Sequence, residues 1–188
     1  MKLNIIWDSR RPEKWEPLMA ELSTQGITDY EIWSCLILPE VVESISASHK
    51  MIVQDAKDKG LKEVCIAEDD LMFTAPGAWD YFLSKKPRFF DLYLGGCYSP
   101  VKHGWDESPY SYTLEPVGFH LYILHERYYD TFLSTPDHLH IDTAQKSNTI
   151  KVCYPIVALQ RPGFSANNKC DQDYNSILKP EDIYHGII

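Results

Sequence analysis

Across the first seventy residues, short apolar runs alternate with amphipathic stretches, and this alternation limits the folds open to the chain. Residues 3–7 form an apolar run compatible with a buried strand. It ends in Asp8-Ser9-Arg10-Arg11-Pro12, where Pro12 suits the first turn of a helix. Trp15, Leu18, Met19 and Leu22 then recur at helical spacing, and Gly26 closes the segment. Residues 30–38 are a second β-rich run. After Pro39, the stripe Val41, Ile45, His49, Ile52, Val53 and Ala56 predicts a longer helix ending at Gly60. Residues 64–67 read as a third strand and run directly into Glu68-Asp69-Asp70.

Strand, helix, strand, helix, strand predicts an α/β fold with a parallel sheet flanked by helices. Ligands of such sheets bind beyond the carboxyl ends of the strands. Two polar clusters fall at such ends, Asp8 to Arg11 and Glu68 to Asp70.

The second half is less regular. Pro76 opens a short helix carrying Trp79, Phe82 and Leu83, and residues 89–94 read as a strand ended by Gly95-Gly96. Residues 97–112 read as a polar, aromatic loop. A strand-like stretch over 112–124 is interrupted by Pro116 and Gly118. Tyr128, Tyr129, Phe132 and Leu133 suggest a helix, and residues 152–159 a last strand. These later strands add a smaller antiparallel portion. Residues 1–164 are expected to form a single domain, with 165–188 a polar tail or lid.

Bulk properties narrow the partners. A net charge of −9 argues against a nucleic-acid backbone, which is bound through Lys and Arg. Five cysteines without a CxxC spacing make neither a zinc pattern nor a disulfide framework, and suit a reducing compartment. No stretch approaches the ~20 apolar residues of a transmembrane segment. The first eight residues read as a strand and not as a signal peptide. The expectation is a cytoplasmic protein.

Three consecutive carboxylates after a buried strand are costly unless paired. A hard divalent cation, Mg²⁺ or Mn²⁺, removes that cost and keeps positions open for substrate phosphates. Alternate residues leaving a strand face one side, so Glu68 and Asp70 are the expected metal ligands, and Asp69 turns away or holds a loop. Arg10 and Arg11 can grip a diphosphate, because guanidinium matches phosphate bidentately.

Glu68-Asp69-Asp70 after an apolar strand resembles the variant DxD motif of glycosyltransferase family 25, the lipooligosaccharide and collagen galactosyltransferase type. Residues 4–15, with their Arg-Arg-Pro turn, resemble that family's opening strand. Ser48-His49 with residues 56–60 resembles the helix before its acidic motif. Residues 118–124, Asp142, Tyr154-Pro155 and residues 160–165 resemble its C-terminal half. The stretch between Tyr30 and Val41 is short against that pattern, and residues 97–112 have no counterpart in it.

The resemblance implies a GT-A-like mixed sheet, Mn²⁺ or Mg²⁺, and transfer of a hexose with inversion from a nucleotide-sugar donor, a uridine diphosphate sugar by preference. The acceptor would be a glycan, a lipid-linked molecule or a protein. Donor-binding residues would be Asp8, Arg10, Arg11, His49 and Asp69. An inverting transfer needs a base for the acceptor hydroxyl; Asp142 is the first candidate and Glu115 the reserve. Asp142 could equally cap a helix starting at Thr143. His138 and His140 could reach the same cleft. Tyr98, Trp105, Tyr110 and Tyr112 are candidates for a sugar-stacking platform. Two alternatives stay open: a non-catalytic carbohydrate or nucleotide-sugar binding protein, and another metal-dependent phosphate-handling α/β enzyme. Neither a GxGxxG nor a Walker pattern is present to favour a phosphate loop.

Overall fold

The structure is a computed structural model that describes residues 1–99, 102–103, 110–113 and 115–186; the side chains at 102–103 and 110–112 lie outside that description. In chain order the elements are β1 (Leu3–Trp7), α1 (Trp15–Thr24), β2 (Tyr30–Ser34), α2 (Val41–Asp58), β3 (Glu63–Glu68), β4 (Leu71–Phe73), α3 (Ala78–Ser84) and β5 (Leu92–Leu94). They continue with β6 (Lys102–His103), β7 (Tyr110–Tyr112), β8 (Leu121–His125), α4 (Tyr129–Leu133), β9 (Ile150–Cys153), β10 (Ala158–Gln160), β11 (Gly163–Ser165) and β12 (Cys170–Gln172).

Among the described residues the main sheet has eight strands in the order β2-β1-β3-β8-β5-β9-β7-β6. β1 lies parallel to both β2 and β3, with Ile5 opposite Ala67 and Ile6 opposite Glu68. β8 runs antiparallel between β3 and β5. β9 is parallel to β5, and β7 and β6 extend the edge antiparallel. This is the expected mixed α/β architecture, a Rossmann-like parallel portion joined to an antiparallel one.

Period-two alternation sends neighbouring strand residues to opposite faces. On one face, Leu3, Ile5, Cys65, Ala67, Tyr93 and Ile123 pack beneath α1 and α3. On the other, Val64, Ile66, Leu92, Leu94, Tyr122 and Leu124 pack beneath α2 and α4. Each fully buried Leu, Ile or Phe contributes roughly 1.5–3 kcal/mol of transfer free energy.

Several elements are shorter than their sequence suggests. β2 stops at Ser34, and Leu36, Ile37 and Leu38 are exposed. Serines on α2 capture this segment's backbone: the Leu36 N–H donates to Ser48 Oγ (2.8 Å) and the Leu38 N–H to Ser44 Oγ (2.9 Å). Of residues 89–94 only Leu92–Leu94 pair as a strand. The apolar run 152–159 divides: Ile150–Cys153 stays in the main sheet, while Ala158–Gln160 pairs with β4 in a separate two-stranded sheet. Residues 112–124 likewise divide between β7 and β8, because Pro116 has no N–H to donate and Gly118 takes a φ of +92°.

The expected boundary at 164/165 falls inside β11, which forms a hairpin with β12. Further on, Ile183 bridges to Ile156 and Tyr184 is buried in the core beside Tyr81. All five cysteines are free thiols. Among the described residues no helix is long and apolar enough to cross a membrane.

Candidate functional site

Because β1 and β3 are adjacent and parallel, their carboxyl ends emerge side by side and bring Asp8 next to the acidic run. The Asp8 N–H donates to Asp69 Oδ2 at 2.9 Å. The next turn, a 3-10 helix over Pro12–Lys14, carries the Lys14 ammonium back onto the same cluster. It donates to Asp69 Oδ1 at 2.5 Å and Asp70 Oδ2 at 3.1 Å, with its side chain only 14% exposed. Asp69 therefore holds the loop after β1.

Glu68 is positioned from below. His49, 1% exposed on the inner face of α2, places Nε2 3.1 Å from Glu68 Oε1 and Nδ1 2.9 Å from the Tyr122 hydroxyl. Burial works to raise the Glu68 carboxyl, but the hydrogen bond from His49 and the attraction of His49, His120 and Lys14 hold it below the usual carboxylate range. Asp70 goes the other way. Burial, reinforced by the charges of Glu68 and Asp69 and opposed by Lys14, pushes it up to about 6.

The short β4–β10 pair supplies the rest of the wall. It places Gln160 Nε2 3.2 Å from Asp70 Oδ2, and the Arg161 N–H donates to the Asp70 carbonyl at 2.7 Å. Asp70 Oδ2 thus receives two donors, while Oδ1 is buried without a partner.

Asp8, Arg10, Arg11, Lys14, His49 and the acidic run line a cavity of 290 Å³. It is also lined by Leu36, Leu38 and Pro39, with Val41 and Ile45 of α2. Arg10 grips Asp8 bidentately (2.8 and 2.6 Å), and this contact holds the Asp8 carboxyl below its ordinary range. Arg11 donates from Nη1 to the Phe164 carbonyl at 2.8 Å, tying the β11–β12 hairpin to the rim.

A second cavity of 310 Å³ adjoins the first and shares Ile45, Glu68, Gln160, Ser165 and Asn167 with it. Asp142, His140 and Tyr98 line this one. Asp142 Oδ2 accepts the Gly118 N–H at 2.9 Å and Oδ1 the Thr143 N–H at 2.7 Å. It sits in a turn and caps no helix. Each carboxylate oxygen keeps a lone pair for another partner.

The remaining candidates separate. Glu115 is 79% exposed, lies 3.7 Å from Lys146 and lines neither cavity. His138 is exposed, away from the cavity lining. Tyr98 is buried, donates to Asn175 Oδ1 at 2.8 Å and accepts the Gln160 N–H at 2.6 Å, so it braces the wall more than it offers a face. Trp105 lies outside the described residues, as do the side chains of Tyr110 and Tyr112.

Sequence reasoning gave no role to Lys14, Gln160 or Tyr122. No local pattern marks them, since Lys14 and Gln160 meet the acidic run, and Tyr122 meets His49, only through tertiary contacts.

Among the described residues no three His, Cys, Asp or Glu side chains form a ready-made metal cage. Mg²⁺ and Mn²⁺ do not require one: one or two carboxylates, substrate phosphate and water suffice. The unpartnered Asp70 Oδ1 and the neighbouring Glu68 carboxylate fit that pattern.

No protein-family model and no curated protein matches the chain. Among solved structures, it is similar to A197 from STIV at a TM-score of 0.53 and 13% identity, covering 92% of this chain and 94% of that one. It shares that protein's fold. Two looser likenesses follow. One is to a glycosyltransferase involved in the glycosylation of the major capsid of PBCV-1 (TM-score 0.43, 13% identity, 69% of this chain and 61% of that one). The other is to the mannose-1-phosphate geranyltransferase of Thermus thermophilus (TM-score 0.39, 7% identity, 81% and 72%).

Proposed function

We propose that this protein is a metal-dependent glycosyltransferase of the family-25 type, moving a hexose from a nucleotide-diphosphate donor, a uridine diphosphate sugar by preference, to an acceptor hydroxyl with inversion. The observation that carries the reading is the buried, unpartnered Oδ1 of Asp70, a residue that follows β3 and lines, with Glu68, a cavity adjoining the one that Asp142 lines.

In this reading Asp70 and Glu68 hold Mn²⁺ or Mg²⁺, which when bound neutralises the donor diphosphate and favours its departure. Arg10 and Arg11 flank the diphosphate, and the apolar wall from Leu36 to Ile45 faces the nucleotide base. His49 fixes the Glu68 carboxylate from beneath. Asp142 takes the proton of the acceptor hydroxyl as the new carbon–oxygen bond forms and the bond to the diphosphate breaks. The backbone N–H groups of Gly118 and Thr143 aim its carboxylate. The acceptor is a glycan, a lipid-linked molecule or a protein that presents this hydroxyl in the second cavity.

The test is release of nucleoside diphosphate from a panel of nucleotide sugars, with and without Mn²⁺ and with simple glycosides as acceptors. Metal-dependent release that disappears in Asp70→Ala and Asp142→Asn supports the proposal. Release that persists undiminished in both variants contradicts it.

A further inference from the structure

Among the described residues, Lys14 is the ammonium or guanidinium side chain that contacts the acidic run. The nearby guanidinium groups are engaged elsewhere: Arg10 with Asp8, Arg11 with Glu13 and the Phe164 carbonyl, Arg161 with Glu21. The Lys14 backbone is fixed as well, since its N–H bonds the Arg11 carbonyl at 3.1 Å and the Arg11 N–H bonds the Asp8 carbonyl at 2.9 Å. The ammonium therefore occupies one side of Asp70, while Oδ1 on the other side is buried without a partner.

We propose that Lys14 is a built-in counter-ion of this site that keeps divalent cations weakly bound until a donor diphosphate is present. This rests on the reading of Asp70 as a metal-binding carboxylate. An ion on Oδ1 would lie close to the ammonium across a single carboxyl group in a poorly solvated pocket, where like charges repel strongly. Lys14 also lines the donor cavity. A diphosphate entering there supplies new anionic partners for both cations and relieves the repulsion. Metal and nucleotide then strengthen each other's binding, and the coupling is reciprocal. Lys14 is thus a positioning residue that sets the order in which the site fills.

The experiment is titration of the whole chain with Mn²⁺, alone and with uridine diphosphate, for the wild type, Lys14→Gln, Lys14→Arg and Asp70→Asn. Lys14→Gln should bind Mn²⁺ alone at least about tenfold more tightly than the wild type, and uridine diphosphate should add less to its affinity. Lys14→Arg, which restores the charge, should return to wild-type behaviour. Equal or weaker Mn²⁺ binding by Lys14→Gln overturns the inference. If the wild type binds Mn²⁺ and Asp70→Asn does not, that failure leaves the metal site standing. If no form binds Mn²⁺ with or without the nucleotide, the metal reading falls and takes this inference with it. Should Lys14→Gln not fold, reductive methylation of the wild-type chain decides. Saturating Mg²⁺ should speed modification of Lys14 several-fold, and an unchanged rate overturns the proposal.

Discussion

His49 Nε2 lies 3.1 Å from Glu68 Oε1 while the other ring nitrogen lies 2.9 Å from the Tyr122 hydroxyl, so a buried histidine links the core of the sheet to the mouth of the cleft. The two contacts should separate by mutation. Tyr122→Phe removes one buried hydrogen bond and should lower stability by about 1 kcal/mol, with little change in ligand binding. His49→Ala removes both contacts and opens a cavity, at a cost of roughly 2–4 kcal/mol. It should also raise the Glu68 carboxyl and weaken donor binding. Denaturant melts and ligand titrations of the two variants check this; equal effects on binding would contradict it.

Asp70 predicts a pH signature. Its carboxyl, pushed up to about 6 from 3.8, keeps its proton longer in the folded chain than in the unfolded one. Its ionisation therefore lowers stability as pH rises from about 4 to about 6, by on the order of 3 kcal/mol in total, with no further change above. Glu68 contributes with the opposite sign at lower pH: its depressed carboxyl adds stability above the ordinary glutamate range, and this is lost on acidification. In metal-free buffer Asp70→Asn should gain stability relative to the wild type as pH rises from about 4 to about 6. A constant difference over that window would contradict the assignment.

Asp142 and Glu115 are separated by position. Asp142→Asn should reduce kcat by about 10²–10⁴ while leaving donor binding near wild type, the loss expected for a general base. Glu115→Gln, at an exposed carboxylate outside both cavities, should stay within about twofold of wild type. Steady-state kinetics with the natural acceptor decides between them.

At Gly96 the constraint is backbone crowding. A Cβ there would stand 2.1 Å from the Ala158 carbonyl oxygen and 2.9 Å from His120 Nε2. Gly96→Ala must push β10 away from β5 and carry Gln160 off Asp70, so a loss of roughly 3 kcal/mol or more is expected, with weaker ligand binding. Gly163→Ala meets nothing within 4 Å and should be nearly neutral. Thermal melts of the pair check the contrast.

The N-terminal half was legible because its apolar periods are local. The runs at 3–7 and 64–67 and the stripe from Val41 to Ala56 each report one strand or helix, and together they place Asp8 and Glu68 at neighbouring strand ends. The β4–β10 pair and the hairpin at the rim were not legible, since their strands are three residues long and joined only by tertiary contacts. For the same reason Lys14 and Gln160 stayed hidden while Glu68 and Asp70 stood out. Asp142 was named, but its carboxylate, in a cavity that Glu68 also lines, is held by the N–H of Gly118, twenty-four residues upstream.

The most direct test is equilibrium binding of a uridine diphosphate sugar, measured by the melting temperature of the whole chain with and without Mn²⁺. A ligand that binds only the folded state stabilises it by about 2.7 kcal/mol at a hundredfold excess over its Kd. A donor site built on Asp70 predicts a rise in Tm that requires both sugar nucleotide and metal, is lost in Asp70→Ala and persists in Glu115→Gln. A well-folded protein whose Tm responds to no nucleotide sugar, with or without Mn²⁺, would contradict it.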